Sequence, residues 1–345
     1  MKKRIIIVIA SIIAALASIA IISSGILYYI VKSPQINLEE TAYIYIYPYD
    51  NSDSIVKKIK EVANPKSTLG FKILTKHNNF DDRKRSGRFA IKDKDSWHTI
   101  CTRIISKEQT PVKVVVPSVR SFEQLSKVIS DQLMLDSVTI HEFLTSKVFI
   151  ENLGYTLETF PTLILPNTYE LYWNIEPEQF FIRMMRERKK FWNEESLAKA
   201  KALNMTPEEV ATLASIVDEE TNNNAEKPIV AGLYINRLKH NIPLQADPTV
   251  KFAIGDFTRN RILNADLEVE SPYNTYKNPG LPPGPIRIAT IAGIESVLNH
   301  AKHNYIYMCA KEDFSGTHNF AVTLAEHNAN ARRYQAALNK LNIKK

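Results

Sequence analysis

The sequence predicts an α+β protein with an N-terminal transmembrane helix, a small α+β module and a larger mixed α+β domain. Three observations carry this prediction: an uncharged run over residues 5–30, alternating strand and helix patterns after it, and a strongly capped helix after Thr206. The chain has 345 residues, and at roughly 150 residues per domain this length corresponds to about two domains.

The composition and charge exclude several classes of protein. Hydrophobic residues make up 44% and charged residues 23% of the chain, which is ordinary for globular proteins and unlike disordered or collagen-like chains. Four of the 44 basic residues lie among the first 32 positions, where no acid stands, so 40 basic and 37 acidic residues remain for the rest. A nucleic-acid-binding protein of this size carries a clearer basic patch, and we therefore expect no nucleic-acid partner.

The uncharged run over residues 5–30 is long enough to span a bilayer. A helix needs about 20 apolar residues to cross the hydrocarbon core, whereas the apolar region of a cleaved signal peptide has only about 7–15. We predict a cytoplasmic tail over residues 1–4, because it is basic, and a single transmembrane helix over residues 5–30. The rest of the chain then lies outside the cytoplasm at the plasma (inner) membrane, on the periplasmic side. The alternative is a signal peptide cleaved near Ser23.

A small α+β module is predicted over residues 31–135. Strand patterns rich in β-branched and aromatic residues alternate here with helix patterns. The predicted strands cover residues 43–47, 88–91 and 112–116, and the predicted helices cover residues 55–62, residues 97–105 and a segment capped by Ser121. The spacing of these units is too irregular for a solenoid, so we expect one compact module.

A mostly helical connector is predicted over residues 136–205. Its basic residues concentrate between Arg183 and Lys190, which is typical of a solvated helix face. Residues 160–169 are aromatic and contain two prolines, and we predict a packed loop there. The last domain then covers residues 206–345.

The helix after Thr206 carries the strongest local signal in the chain. Thr206 is the predicted N-cap, Pro207 suits the first turn, and Glu209 completes a capping box. Apolar residues continue at helical spacing as far as the acids at 218–220. Three asparagines at 222–224 then end the helix.

The helical wheel separates the three consecutive acids that end this helix. At about 100° per residue, Glu220 falls within the apolar stripe centred on Leu213, whereas Asp218 and Glu219 fall outside it. A carboxyl group at the end of a buried stripe is desolvated, which raises its pKa and suits general-acid chemistry. The geometry therefore favours Glu220 as an acid catalyst, with a frayed and hydrated last turn as the alternative.

A series of short segments runs from this helix to residue 320. They are LASIVDEET at 213–221, VAGLYINRL at 230–238, LQADPTV at 244–250, SPYNTY at 271–276, GLPPGPI at 280–286 and THNF at 317–320. In this order they resemble the MltG/YceG-like endolytic murein (lytic) transglycosylases. The N-terminal span and the strand–helix module fit that family's membrane anchor and LysM-like region. The resemblance implies a LysM-like α+β module followed by a mixed α+β catalytic domain of the lytic transglycosylase type.

The resemblance also implies which glutamate is catalytic. The family's acid is the glutamate that precedes a threonine, and this corresponds to Glu220. The wheel and the resemblance therefore select the same residue. The chain departs from the family pattern at Asp218, where the family usually has glutamate, and at Ala246, where it commonly has threonine. The first departure does not touch the expected catalyst, and the second leaves no hydroxyl at that position.

Further residues of these segments are candidates for substrate binding. They are Gln245, Asp247, Tyr273, Asn274, Tyr276 and His318. Glutamine and asparagine both donate and accept hydrogen bonds, and tyrosine rings offer stacking faces to a sugar. Structural alternatives stay open: Asn274 in a turn, the tyrosines in a core, Asp247 in an Asp-Pro turn, and His318 in packing. The histidines match no zinc-binding spacing, so we expect no metal and no cofactor.

The activity implied by the resemblance is a lyase reaction on peptidoglycan. Such an enzyme cleaves the MurNAc–GlcNAc bond inside nascent strands, leaves 1,6-anhydro-MurNAc ends and limits strand length. One glutamate first gives a proton to the glycosidic oxygen and then takes one from the C6 hydroxyl, which requires a pKa near the working pH. The expected partners are glycan strands, cell-wall synthases and the membrane. The alternatives are a lysozyme-like hydrolase in which Asp247 positions water, and a non-catalytic glycan-binding scaffold for synthases.

Overall fold

The computed structural model describes residues 2–78, 80–82, 85–258 and 262–340. The chain forms two compact units. The smaller unit contains residues 1–114 and 170–175, and the larger unit contains residues 115–169 and 176–345. The sequence analysis placed its boundaries at 135 and 205, and those boundaries stay a prediction.

The chain begins with helix α1, Lys2–Lys32. Val31 is its single buried residue, so the apolar side chains of this helix are exposed. The hydroxyls of Ser11 and Ser18 donate to backbone carbonyls four residues earlier, at 3.0 and 2.9 Å. These hydrogen bonds lower the free-energy cost of placing the hydroxyls in an apolar environment. The helix is long and apolar enough to cross a membrane.

After α1, the smaller unit is built around one strand pair and three helices. Its elements are β1 Ala42–Ile46, α2 Ser52–Ala63, α3 Leu69–His77, a 3-10 turn Phe80–Asp82, β2 Gly87–Ile91 and α4 Trp97–Ile105. Strand β1 pairs antiparallel with β2, with Ile44 opposite Phe89, and both residues lie in one apolar core with Trp97. The strands and helices predicted here are confirmed. Helix α3 was not predicted.

The division between the two units passes at strands β3, Val112–Val116, and β4, Asn167–Leu171. Strand β3 is confirmed. The prediction of a packed loop over residues 160–169 is wrong, because this segment holds a 3-10 turn, Phe160–Leu163, and the start of β4. Tyr169 and Leu171 are buried while Glu170 between them is exposed, so β4 shows the two-residue alternation of a strand.

The larger unit is mostly helical and carries one β-hairpin. Its helices are α5 Phe122–Ser130, α6 Ser137–Thr145, α7 Lys147–Asn152, α8 Pro177–Phe191, α9 Glu194–Ala202, α10 Pro207–Glu220, α11 Lys227–Lys239, α12 Asp247–Ile254, α13 Ile291–Leu298 and α14 Leu324–Lys340. Strands β5, Tyr307–Ala310, and β6, His318–Ala321, pair antiparallel. Helix α10 lies at the centre of the main apolar core, packed against α11 and α13.

Candidate active site

Helix α10 begins with the capping box that the sequence predicted. The Thr206 side chain accepts from the backbone N–H of Glu209 at 3.2 Å, and the Glu209 carboxylate accepts from the backbone N–H of Thr206 at 2.7 Å. The helix ends at Glu220, and Thr221 caps it in an extended conformation. Because the start is fixed by two reciprocal bonds, the register of the three acids at the other end is fixed as well.

Asp218 corrects the wheel analysis, which placed it outside the buried stripe. Its carboxylate is buried and accepts from Lys227 Nζ at 2.5 Å. It also accepts from the Thr290 backbone N–H at 2.7 Å and the Thr290 hydroxyl at 2.8 Å. Residues 210–218 of α10 are all buried, because other helices cover this helix on several sides and its apolar surface is not a single stripe.

Glu219 points to two arginines. Its carboxylate accepts from Arg120 Nε at 2.7 Å and Nη2 at 2.6 Å, in the bidentate geometry typical of strong arginine–carboxylate pairs. Arg287 Nη1 adds a third contact at 3.1 Å and also holds Ser118. Two guanidinium groups therefore satisfy this carboxylate.

Glu220 has a different environment. Its Oε1 accepts a hydrogen bond from the Tyr234 hydroxyl at 2.6 Å, and within the described ranges no lysine or arginine forms an ion pair with it. Burial raises the pKa of Glu220 to about 7; the Tyr234 hydrogen bond and the charge of His318 oppose this rise, and Asp247 and Glu219 add to it. A carboxyl group with this pKa is present in both protonation states near neutral pH, as acid–base catalysis requires.

Glu220 lies in a cleft of about 470 Å³. The cleft is lined by residues of α10, α11, the α11–α12 loop, the β5–β6 hairpin and the start of α14. Of the predicted substrate-binding residues, four line it with Glu220: Gln245, Asp247, Tyr276 and His318. The structure therefore brings together residues that are spread over almost a hundred positions of the sequence.

Gln245 lies where the loop before α12 turns sharply. Its φ of +50° is in the left-handed region, which a residue with a side chain occupies at a cost and which is common at functional sites. The side-chain oxygen accepts from Arg237 Nη2, and the backbone N–H donates to Thr275 O at 3.1 Å. These bonds hold the Gln245 side chain at the wall of the cleft.

Asp247 and Tyr276 form a hydrogen-bonded pair across the cleft wall. Asp247 is the first residue of α12, and its Oδ1 accepts from the Tyr276 hydroxyl at 2.5 Å. Burial and the hydrogen bond to Asp247 raise the pKa of Tyr276, so the phenol stays protonated and remains a donor. The second carboxylate oxygen of Asp247 is left for other partners.

Two predicted substrate-binding residues, Asn274 and Tyr273, do not line the cleft that contains Glu220. Asn274 is 0% exposed, and its amide donates to Leu267 O at 2.8 Å and Val269 O at 2.9 Å. Its side chain therefore holds a loop, as the structural alternative stated. Tyr273 lines a separate, mainly apolar cavity of about 330 Å³ and packs on Phe252, with ring centroids 4.7 Å apart.

The sequence analysis missed three polar residues that support the cleft: Glu226, Tyr234 and Arg237. Tyr234 and Arg237 stood within a family segment but received no role. Their spacing of three places them on one face of α11, which was a usable signal. Glu226 has no comparable signal, because its partner His318 is 92 residues away in the chain.

The described residues show no cluster of three or more histidine, cysteine, aspartate or glutamate side chains that could hold a metal ion. Two histidines near the end of α13 are fixed by backbone carbonyls. His300 Nδ1 lies 3.2 Å from Val297 O, and His303 Nε2 lies 2.9 Å from Ile229 O.

Comparison with known proteins gives consistent matches over most of the chain. The sequence model of the YceG-like family matches residues 44–333. An endolytic murein transglycosylase of Bacillus subtilis is 35% identical over 196 residues, which are 57% of this chain and 53% of that protein. An endolytic murein transglycosylase of Streptococcus pneumoniae is 25% identical over 291 residues, 75% of this chain and 52% of that protein. The chain thus spans about half the length of these relatives.

A solved structure shows the same fold. The crystal structure of a YceG-like protein from Listeria monocytogenes superposes with a TM-score of 0.58 and 24% identity, over 85% of this chain and 99% of that chain. This similarity confirms the mixed α+β architecture.

Proposed function

Because the chain belongs to the YceG-like family, we propose that it is a membrane-anchored endolytic murein transglycosylase. It would cleave the MurNAc–GlcNAc bond inside nascent peptidoglycan strands and leave 1,6-anhydro-MurNAc ends, and so limit strand length. One observation carries this proposal above the others: Glu220 lies in a polar cleft without an ion-pair partner among the described residues, and burial raises its pKa to about 7. The names of the relatives support the same substrate.

Glu220 supplies the acid of the reaction. Protonated, it gives its proton to the glycosidic oxygen as the bond from that oxygen to C1 of MurNAc breaks. The resulting carboxylate then takes the proton of the C6 hydroxyl as the oxygen of that hydroxyl bonds to C1. No water is consumed, and Glu220 is protonated again at the end, so one group with a pKa near neutrality completes the cycle.

The other cleft residues fit a sugar substrate. Gln245 and Asp247 offer side-chain atoms to sugar hydroxyls and acetamido groups, and Tyr276 offers a ring face and a phenol. Tyr234 binds one oxygen of the Glu220 carboxyl group, which leaves the other oxygen to face the substrate. We include Gln245, Asp247, Tyr276 and His318 in the proposed substrate-binding set.

Helix α1 supports the proposed location. It is long and apolar enough to span a membrane, and basic residues 2–4 precede its apolar run, which favours a cytoplasmic N-terminus. We propose a single-pass protein with the larger unit outside the cytoplasm, where glycan strands and cell-wall synthases are found. A LysM-like role for the first module, in holding glycan, belongs to the same proposal.

Product analysis tests this function against its two alternatives. Purified protein in detergent is incubated with isolated glycan strands, and the fragments are analysed by mass spectrometry. A transglycosylase leaves 1,6-anhydro ends, which are lighter by one water than the reducing ends left by a hydrolase. A glycan-binding scaffold leaves the strands intact. We expect anhydro ends from internal cleavage, and reducing ends alone would show a hydrolase instead.

A further inference from the structure

Glu226 is a buried carboxylate next to the cleft, and it joins parts of the chain that are far apart. It directly precedes α11 and is 5% exposed. Its Oε1 accepts from the backbone N–H of His318 at 2.7 Å, and its Oε2 lies 3.0 Å from His318 Nδ1. One side chain therefore links the start of α11 to the first residue of β6.

These bonds keep Glu226 ionised. Burial by itself would raise the pKa of Glu226, but the hydrogen bonds from His318 and Thr221 lower it overall. A buried carboxylate is costly unless it is paired and hydrogen-bonded, and here the backbone N–H and the Nδ1 atom of His318 satisfy it. The arrangement is thus complete without any other group.

The contact with Glu226 also determines which ring nitrogen of His318 carries the proton in the neutral form. A histidine that donates Nδ1–H to a carboxylate has its lone pair on Nε2 when the ring is neutral. Within the described ranges no side chain or backbone group bonds to Nε2 of His318, although the residue lines the cleft together with Glu220. When the ring is neutral, Nε2 is therefore a free acceptor at the wall of the cleft.

We propose that Glu226 is a positioning residue that acts through His318, and that Nε2 of His318 accepts a hydrogen bond from the bound glycan. The donor is a sugar hydroxyl or the N–H of an acetamido group, since these are the neutral donors of such a strand. The identity of this ligand rests on the proposed function.

Glu226→Gln tests the positioning role directly. Glutamine keeps the size of the side chain, but its amide has one oxygen and one NH₂ group, so it cannot accept from both N–H groups of His318. At a pH where the ring is neutral, we expect imidazole ¹⁵N NMR shifts of the wild type to show a proton on Nδ1 and a bare Nε2. We expect the variant to lose this preference for the tautomer that is protonated at Nδ1. An unchanged tautomer in the folded variant would overturn the proposal.

Kinetics on isolated glycan strands tests the substrate contact. Losing one hydrogen bond to a buried polar partner weakens an interaction measurably, so we expect kcat/KM to fall about 10- to 100-fold in Glu226→Gln and in His318→Gln. The loss should lie mainly in KM, because the bond is made before and during the reaction. The double variant should be no worse than either single variant, since both changes remove the same interaction.

Glu312→Gln is the matched control. Glu312 binds the residue next to His318, with its Oε2 accepting from Asn319 Nδ2 at 2.6 Å, and it does not line the cleft. It should keep the wild-type KM and the wild-type His318 tautomer. Additive losses in the double variant, or an equal loss in the control, would show a merely structural role. A wild type that makes no anhydro ends would contradict the proposed function, while the NMR result would still test the Glu226–His318 pair.

Discussion

The last turn of α10 has two sides, and the acids on these sides have opposite environments. On one side, Asp218 and Glu219 are held by cations: Lys227 binds the first, and two arginines bind the second. On the other side, Glu220 meets a phenol and a cleft, with no cation paired to it in the described part of the chain. Three acids in a row thus divide into two ionic anchors and one group that can exchange a proton.

This comparison shows that burial alone does not select a catalyst. Asp218 is more buried than Glu220, yet it forms an ion pair with Lys227 and accepts two hydrogen bonds from Thr290. For Glu220 the desolvation cost of the charge is only partly compensated, and its pKa rises to about 7. The feature that distinguishes Glu220, the proposed catalytic acid, is therefore the absence of a lysine or arginine partner among the described residues, together with access to the cleft.

The largest expected effect is on activity, in Glu220→Gln. Glutamine keeps size and hydrogen bonding but carries no transferable proton, and general acid–base catalysis contributes about 10²- to 10⁴-fold. Because one residue serves both proton transfers in the proposed mechanism, we expect a loss at the upper end of this range or beyond, measured as the rate of anhydro-end formation. Glu219→Gln is the control on the paired side and should keep most of the activity. Near-normal turnover by Glu220→Gln would remove this residue from the mechanism.

The next largest effect is on stability, in Asp218→Ala. Removing this carboxylate leaves Lys227 buried without its partner, and breaking a buried ion pair costs about 3–5 kcal/mol. The backbone N–H and hydroxyl of Thr290 also lose their acceptor. Urea unfolding of the purified chain measures the loss, and Asp218→Asn, which keeps one acceptor, should lose less. A variant as stable as the wild type would mean that Asp218 is not an anchor.

The raised pKa of Glu220 makes stability depend on pH in a specific direction. In the unfolded chain this carboxyl group loses its proton near the ordinary value of 4.5, and in the folded chain near 7. The folded state therefore binds the extra proton in between, and the stability it contributes below pH 4.5 is lost as pH rises through 7. Glu220→Gln should match the wild type at pH 4 and exceed it by about 2 kcal/mol at pH 8. A difference that does not change with pH would contradict this.

A smaller effect is expected in Tyr234→Phe. The hydroxyl lowers the pKa of Glu220 through its hydrogen bond. Removing it should therefore raise that pKa further and shift the alkaline limb of the pH–rate profile toward higher pH. The bond also orients the carboxyl group, and hydrogen bonds to a charged group are worth about 1.5–3 kcal/mol. We therefore expect kcat/KM at neutral pH to fall about tenfold. If the alkaline limb of the pH–rate profile stays at the wild-type pH, the hydroxyl has no electrostatic effect on Glu220.

Local features of the site were predictable from the sequence, and long-range ones were not. The capping box and the helical spacing fixed where α10 begins, and Glu220 was identified by two independent routes. The burial of Asp218 was not predictable from a wheel of one helix, because α11 and α13 supply Lys227 and Thr290. The burial of Asn274 depends in the same way on carbonyls of a loop that only the folded chain brings close.

The secondary structure was likewise predictable only where the sequence signal is local. Strands β1 and β2 were predicted from β-branched and aromatic runs, which are local signals. Strand β4 was interpreted as a loop because prolines bound the segment, although its alternation at Tyr169 and Leu171 indicates a strand. The Glu226–His318 contact joins positions 92 residues apart, so no window of the sequence contains it.

The most direct test of the account is the titration of the Glu220 carboxyl group itself. The ¹³C NMR signal of this group is assigned by its loss in Glu220→Gln and followed from pH 3 to pH 9. We predict a midpoint near 7, as expected for a desolvated acid that has no lysine or arginine partner in the described part of the chain. A midpoint near 4.5 would contradict the account, because Glu220 would then be ionised at neutral pH and could not start the reaction as an acid.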